Sequence, residues 1–567
     1  MRKPVWTVLA FIAAVAVHAE ERWDLSAPRV SVRLNAGLIR DLGITLAPAV
    51  ALDRDGYSAY EIGAEGRLVA LAPGSIFSTV DLGELQITGG PRLSWKGDAL
   101  SLQGGRLEPD AEPNTFRITG SDGSLLFLAD HQHFAVDRKA GTLRLFNMDL
   151  RLSAELAARM GEPRHQGLAV GVLEISASAA IPPGAVEAPS GACVNPVWGS
   201  PDNDVSLTLL GSVSQVALGG GVVAIAPSAT LKNVGRTDVP WYGKFSGSFP
   251  PYNNDQHPFL VWNMYRVAGG ALQQIGVSGV KHAFLTLNQN CGCGAGNILW
   301  VGNGGCEDVY GVSTNNSTGS LSPRSEINPR TGVWTRCGSI FDPNCDNNQD
   351  SPPGFSGPAD PRRLTVLETD LQTPGAQYYF DGWYVVRDDV NIFNTMAYRS
   401  VTPTFGGSSW SFGPLGPHTY GSVIDAWVNP TNPGPNADSR RIATVGGHLT
   451  LAVRATDLGS GRWRYDYALM NHDVNEGIGS FSVPLPAGAV VTNATFHDVD
   501  RDPLTDWTAA ITPGDKIIWN APAGSRMRWG LLYSFSFEVN AAPARLPERP
   551  VAVDGRRLWV RLLGPTS

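Results

Sequence analysis

Several things are scarce in this sequence, and each scarcity excludes something. Charged residues make up 17% of the chain, below the roughly 25% of an average globular protein. Basic residues do not outnumber acidic ones: 44 Lys and Arg stand against 52 Asp and Glu, a net charge of -8. A nucleic-acid partner is therefore not expected, because neutralising phosphates needs a Lys/Arg excess. Beyond the first residues no apolar run approaches the roughly 20 residues that cross a bilayer, so the mature chain is read as soluble and not membrane-spanning. The common catalytic signatures are missing as well. There is no Gly-x-Ser-x-Gly elbow, no His-Glu-x-x-His helix, no phosphate loop and no dinucleotide fingerprint. Cysteine is confined to six positions, none of them after Cys345.

What is present begins with an export signal. Arg2 and Lys3 precede an apolar run from Val5 to Val17, and small Val17 and Ala19 stand before Glu20, Glu21 and Arg22. This is the pattern of a cleavable secretory signal over residues 1–19, with cleavage after Ala19. It predicts a secreted or periplasmic protein. In such an oxidising compartment Cys193, Cys291, Cys293, Cys306, Cys337 and Cys345 read as up to three disulfides. Cys291 and Cys293 would close a strained ring if joined, so each is expected to reach a different partner. A structural zinc site is the alternative reading of the same cysteines, although its ligands usually come in pairs spaced by about two to four residues.

Gly (64) and Pro (41) are abundant, which suits many short strands joined by tight turns. The predicted class is mostly β and multi-domain, built of antiparallel sheets. Residues 20–187 alternate apolar and polar positions, as in Val30, Val32, Leu34 and in Leu143, Leu145, with one helix from Ser153 to Gly161. The Pro/Gly-rich stretch from Ile181 to Gly191 is read as a linker. A β-rich domain over 188–440 follows, holding a Cys/Asn/Gly-rich loop at 288–361 that needs stapling. Residues 441–545 show aromatic residues at every second position, as in Trp463, Tyr465, Tyr467 and in Tyr533, Phe535, Phe537. That is the pattern of a β-sandwich. Residues 546–567 are read as a tail.

Ordered strings run through the second half: His257-Pro258 with Asn263-Met264-Tyr265-Arg266, Gln274-Ile275-Gly276 with Lys281-His282, Ser480-Phe481-Ser482-Val483-Pro484, Phe496-His497-Asp498-Val499-Asp500, and Arg528-Trp529-Gly530. Over roughly residues 200–545 the chain resembles a family of exported bacterial proteins described only as hypothetical. The resemblance implies kinship and carries no activity with it.

Candidate chemistry sits in three places. Asp342, Asn344, Asp346, Asn348 and Asp350 set oxygen side chains at alternate positions, as a Ca²⁺ loop would. Asn347 stands where such a loop has Gly, and Pro353 where it has a bidentate Glu; the alternative is a solvated loop that caps its own turns. His257, His282 and His497 could together hold copper or zinc with one position open, and Asp498 or Asp500 could orient them or act as base. Scattered histidines are more often structural, and that reading stands beside it. The pair His131-x-His133 is a lesser metal candidate. Trp198, Trp241, Trp262, Trp300, Trp334 and Trp383 are candidates for stacking on sugar faces, or for filling the core. The leading expectation is a non-catalytic exported protein that binds an extracellular surface, a glycan or a protein ligand, stiffened by disulfides and by calcium. An extracellular metalloenzyme is the alternative.

Overall fold

A computed structural model describes residues 21–566 except 54, 73–76, 182–192, 200, 253–254, 445, 546–550, 555 and 561. The expected signal peptide and nearly all of the expected linker lie outside the described residues. About half of the chain is strand and very little is helix, and the strand pairings that build the sheets of the described residues are antiparallel.

Eight strands open the fold: β1 (Arg22–Asn35), β2 (Ala64–Leu71), β3 (Thr79–Ile87), β4 (Arg106–Pro109), β5 (Phe116–Thr119), β6 (Leu125–Asp130), β7 (Thr142–Leu152) and β8 (Ala169–Ala179). Each pairs with its neighbour in sequence, and β8 returns to β1, so the sheet closes into an up-and-down barrel. Closure removes the edge strands that would otherwise invite pairing with another chain. Alternation sends Val30, Val32 and Leu34 inward from β1, where they meet Leu107, Phe127, Leu150 and Leu173 around a void of about 20 Å³. The predicted helix forms over Ala154–Arg159, capped by the Ser153 hydroxyl, which accepts the Leu156 N–H. A second helix, Ala36–Asp41, was not expected. Asn35 caps it through the Leu38 N–H, a signal hidden by its brevity and by Gly37.

A second ring of eight follows: β9 (Val205–Gly219), β10 (Val222–Asn233), β11 (Phe259–Ala268), β12 (Ala271–Val277), β13 (Leu364–Leu367), β14 (Gln377–Val385), β15 (Met396–Phe405) and β16 (Trp410–Leu415). Around it the order is β9-β10-β13-β12-β11-β14-β15-β16 and back to β9. Two of its joints are single residue pairs, Val277 with Thr365 and Ser214 with Ser411. Both faces of β11 are buried over Phe259–Tyr265. On β11, Leu260, Trp262 and Met264 join one cluster, while Phe259 and Val261 join another.

The expected sandwich is present. One sheet holds β17 (Ala437–Thr444), β18 (Gly447–Gly459), β19 (Arg462–Asn471), β21 (Val491–His497) and β24 (Leu531–Val539). The other holds β20 (Ser480–Pro484), β22 (Thr508–Thr512), β23 (Lys516–Asn520), β25 (Val551–Val553) and β26 (Arg556–Val560). Tyr465, Tyr467, Phe535 and Phe537 face Phe481, Ile517 and Trp519 in the core between them. The residues read as a tail are not one: β25 pairs with β20, and Val553, Val560 and Leu562 enter this core. The outer face of the first sheet docks Ala452, Ala468, Met470 and Leu532 on Tyr265 and Leu272 of the second ring and on Trp427 of the short helix Ile424–Trp427.

Candidate functional site

The three histidines proposed as metal ligands do not meet. His257 and His282 are buried and share a hydrogen bond, Nε2 to Nδ1, of 2.9 Å, and His282 Nε2 lies 2.9 Å from the Ser322 hydroxyl. Strand pairing puts His282 opposite Phe259 and Gln274 opposite Tyr265 on β11. His497, on β21, stands by the Gln274 backbone, so it is about six residues, or roughly 20 Å, along the strand from the pair. Three of the pair's four ring nitrogens face each other and Ser322, and His257 Nδ1 is buried without a hydrogen-bond partner.

Around the histidine pair the structure assembles residues that sequence reasoning passed over. Lys281, beside His282 on the strand Val280–His282, is fully buried, and its Nζ has no hydrogen-bond partner. The amine lies 2.7 Å from the ring centre of Tyr310. Asp308, two residues before Tyr310 on one strand face, accepts the Leu287 N–H at 3.0 Å. Burial drives the Lys281 amine well below its ordinary range, with Asp308 pulling it back. Burial likewise pushes the Asp308 carboxyl up to about 7, opposed by Lys281. Lys244 is lowered to about 8 by burial, and its Nζ donates to the Gly319 carbonyl at 3.0 Å. His257 is held near 3 by burial and by Lys244. The Tyr310 hydroxyl accepts from Trp241 Nε1 at 3.0 Å and from the Phe284 N–H at 3.1 Å, and donates to the Leu285 carbonyl at 2.8 Å. The cluster thus anchors the segment that carries Phe284 and Leu285.

Those two residues line separate cavities. Phe284 borders a polar cavity of about 120 Å³, shared with Arg33, Asp55, Tyr57, Thr314 and Asn316. Leu285 borders a cleft of about 610 Å³ between the first barrel and the loop that was expected to need stapling; Phe134, Tyr242, Ile298 and Trp300 complete its apolar walls. Three disulfides hold that loop: Cys193–Cys293, Cys291–Cys306 and Cys337–Cys345. Cys291 and Cys293 do reach different partners, and no thiol is left for zinc.

The first barrel and second ring meet along a polar seam. Asp149, fully buried on β7, accepts the N–H groups of Val312 and Ser313 at 2.7 and 2.9 Å, at the start of the short helix Val312–Asn315. Arg151 bonds Asp149 at 3.0 Å, Asp130 at 2.7 Å and the Ser212 hydroxyl of β9 at 2.7 Å. Burial raises Asp130, but Arg151 and His131 outweigh it and leave the carboxyl well below its usual range. Asp130, His131 and Asp149 do bring ligand atoms within 4.8 Å of one another. The Arg151 guanidinium already supplies the cation there, at 3.0 Å from His131 Nδ1. His133 takes a different partner, donating Nε2–H to the Val309 carbonyl at 2.9 Å.

In the loop read for calcium, Asn344, Asp346 and Asn348 are exposed and bond to one another: Asn344 Oδ1 accepts the Asp346 N–H, and Asp346 Oδ1 accepts the Asn348 N–H. Asp350 is half-buried, and Asp342 is buried with Oδ1 unpartnered. Of the five side chains, Asn344 and Asp346 spend their oxygens on turns of their own loop. Of the tryptophans proposed for sugar stacking, Trp241, Trp262, Trp300, Trp334 and Trp383 are buried and Trp198 is half-buried. The five buried rings belong to the hydrophobic clusters, and Trp300 also walls the cleft. Comparison with protein-family models, curated proteins and solved structures finds no match to this chain.

Proposed function

We propose that this chain works outside the cytoplasm as a non-catalytic binding protein, holding a small molecule with an apolar body in the cleft between its first barrel and its disulfide-held loop. The cleft carries this reading. Its volume of about 610 Å³ lies within the range of roughly 300–1,000 Å³ typical of ligand pockets, and such pockets favour domain interfaces and aromatic walls. The disulfides Cys193–Cys293 and Cys291–Cys306 fix the loop that forms one wall, which lowers the ordering cost of binding. Disulfides of this number persist in an oxidising compartment, in line with the expected export. No helix among the described residues is long and apolar enough to cross a membrane. The buried amine and imidazoles serve, in this reading, as the frame that fixes Leu285 at the cleft.

A panel of single-chain and ring-bearing amphiphiles should include members that raise the melting temperature of the exported protein. Ala295→Trp, which fills the cleft from its half-buried wall, should abolish that rise. If no amphiphile stabilises the protein, or if the Ala295→Trp variant responds as before, the cleft is not the binding site.

A further inference from the structure

The cleft between the first barrel and the disulfide-held loop is uneven in charge. Among the residues that line it Arg138 alone is charged, and no acidic residue is with it. Arg138 follows the strand His133–Asp137, whose Phe134 and Val136 supply apolar wall. The neighbouring carboxylate, Asp137, is spent on its own turn, where Oδ1 accepts the Ala140 N–H at 2.8 Å. Gly294, Ala295 and Asn297 line the cleft from the loop side, and their N–H groups reach no acceptor among the described residues. Successive main-chain N–H groups in a turn suit a negative group. The chain as a whole carries a net charge of -8, so a cation and a run of donors at an apolar cleft run against the average of its surface.

We infer that the ligand of this cleft is a monocarboxylate with an apolar body. Arg138 and the N–H groups of Gly294, Ala295 and Asn297 take the carboxylate, and the body lies against Phe134, Tyr242, Ile298 and Trp300. This assignment rests on the cleft being the binding site and adds the head group to it. A guanidinium presents five N–H donors in a planar fork that matches a carboxylate, so Arg138 can hold one without leaving the Trp23 ring, 5.9 Å away. One cation suits one negative charge, whereas a phosphate group with nearly two would leave the second unmatched beside an apolar wall. A cationic head would stand against Arg138, and an uncharged head forgoes the charge-assisted bonds. Arg138 is exposed, which puts the head at the mouth, where it keeps part of its water and escapes the full cost of burial.

The test uses the whole exported protein and one apolar body under three heads: dodecanoate, dodecan-1-ol and dodecyltrimethylammonium, each below its micelle concentration, read by melting temperature and titration calorimetry. A ring-bearing pair, 2-naphthylacetate and 2-naphthylethanol, repeats the comparison. In the body that binds, the acid should be tighter than the alcohol by about fivefold or more, with the ammonium weakest. Arg138→Gln, at an exposed position, should melt as the parent does without ligand and should bring the acid down to the level of the alcohol, while the alcohol binds as before. Arg138→Lys should recover part of the preference, since it keeps the charge and loses the fork. If the alcohol matches the acid, if the ammonium binds best, or if Arg138→Gln keeps the preference for the acid, the carboxylate assignment is overturned and the cleft remains the binding site. If no head on either body binds, or if binding survives Ala295→Trp, the cleft reading itself fails and the head group falls with it.

Discussion

The first barrel and the second ring are both closed circuits of eight antiparallel strands with apolar cores, yet different chemistry packs around them. The barrel interior is aliphatic and aromatic throughout, with Val30, Val32, Leu150 and Leu173 around a void too small to matter. The second ring is wrapped in buried Lys281, His257, His282 and Asp308. Apolar burial stabilises at about 25 cal/mol per Å², whereas a buried amine without a hydrogen bond costs free energy. One circuit is therefore built for stability, and the other gives some stability up where the cleft and its supporting segment lie. Perturbed ionisable groups gather at working sites for this reason.

The largest expected effect comes from cutting the seam that joins the two. Asp149→Ala removes the acceptor of two helix N–H groups and leaves Arg151 buried with half of its counter-charge. Breaking a buried pair from one side costs about 3–5 kcal/mol. Urea unfolding should show that loss, and the transitions of the two circuits should separate. A single unshifted transition would mean that the seam is incidental.

Next comes a direct contrast between the barrel interior and the polar cluster packed against the second ring. Leu150→Ala in the barrel should cost about 2–5 kcal/mol, through lost burial plus a cavity. Lys281→Met, which replaces a buried amine without a hydrogen bond by an apolar chain of similar length, should be neutral or stabilising, because the Asp308 carboxyl, already raised to about 7, takes up a proton when the amine is gone. If Lys281→Met destabilised the protein as much as Leu150→Ala, the contrast between a stable circuit and a functional one would collapse.

Acid sharpens the same difference. Burial holds His133, His257 and His472 near 3, well below the ordinary 6.5. Folded chains keep these rings neutral between those values, while unfolded chains protonate them. Their contribution is complete above about 6.5 and is lost as the pH falls toward 3. The carboxyls of Asp308 and Asp381, raised to about 7 and about 6 by burial, act in the opposite sense, since the folded protein binds their protons more tightly. The net slope is the balance of the two sets, and His257→Gln, by removing one ring that only the unfolded chain protonates, should make the melting temperature fall less, or rise more, as the pH drops from 6.5 toward 3. An unchanged slope in that variant would place the acid sensitivity elsewhere.

Alternation let the sequence show strands, the sandwich and the helix at Ser153, because period two and a capping serine are local signals. Closure was not legible. Pairing of Val30 with Ile175 across the barrel is a long-range choice, and alternation says which face a residue takes but not which strand it meets. Short strands such as Val551–Val553 carry too few residues to show a period, which is why the last residues read as a tail. At the site, His257 and His282 were found by type, but Lys281 and Asp308 were overlooked because the strands that bury them, Val280–His282 and Glu307–Tyr310, are too short and polar to show a period. The Asp-x-Arg spacing at 149/151, 360/362 and 438/440 was a readable sign of buried pairs.

The smallest predicted effect is the one that isolates position from charge. Glu84 and Arg106 pair at 3.3 Å across neighbouring strands β3 and β4, both more than half exposed. Asp360 and Arg362 pair at 2.8 Å, both nearly fully buried. Water and salt screen the first pair, so Glu84→Ala should change stability by about 0.5 kcal/mol or less, and added salt should remove even that. Asp360→Ala would leave a buried guanidinium and should cost several times more, with little response to salt. Equal effects at the two positions would mean that charge on the barrel wall is structural too, and the barrel could no longer be read as a purely apolar circuit.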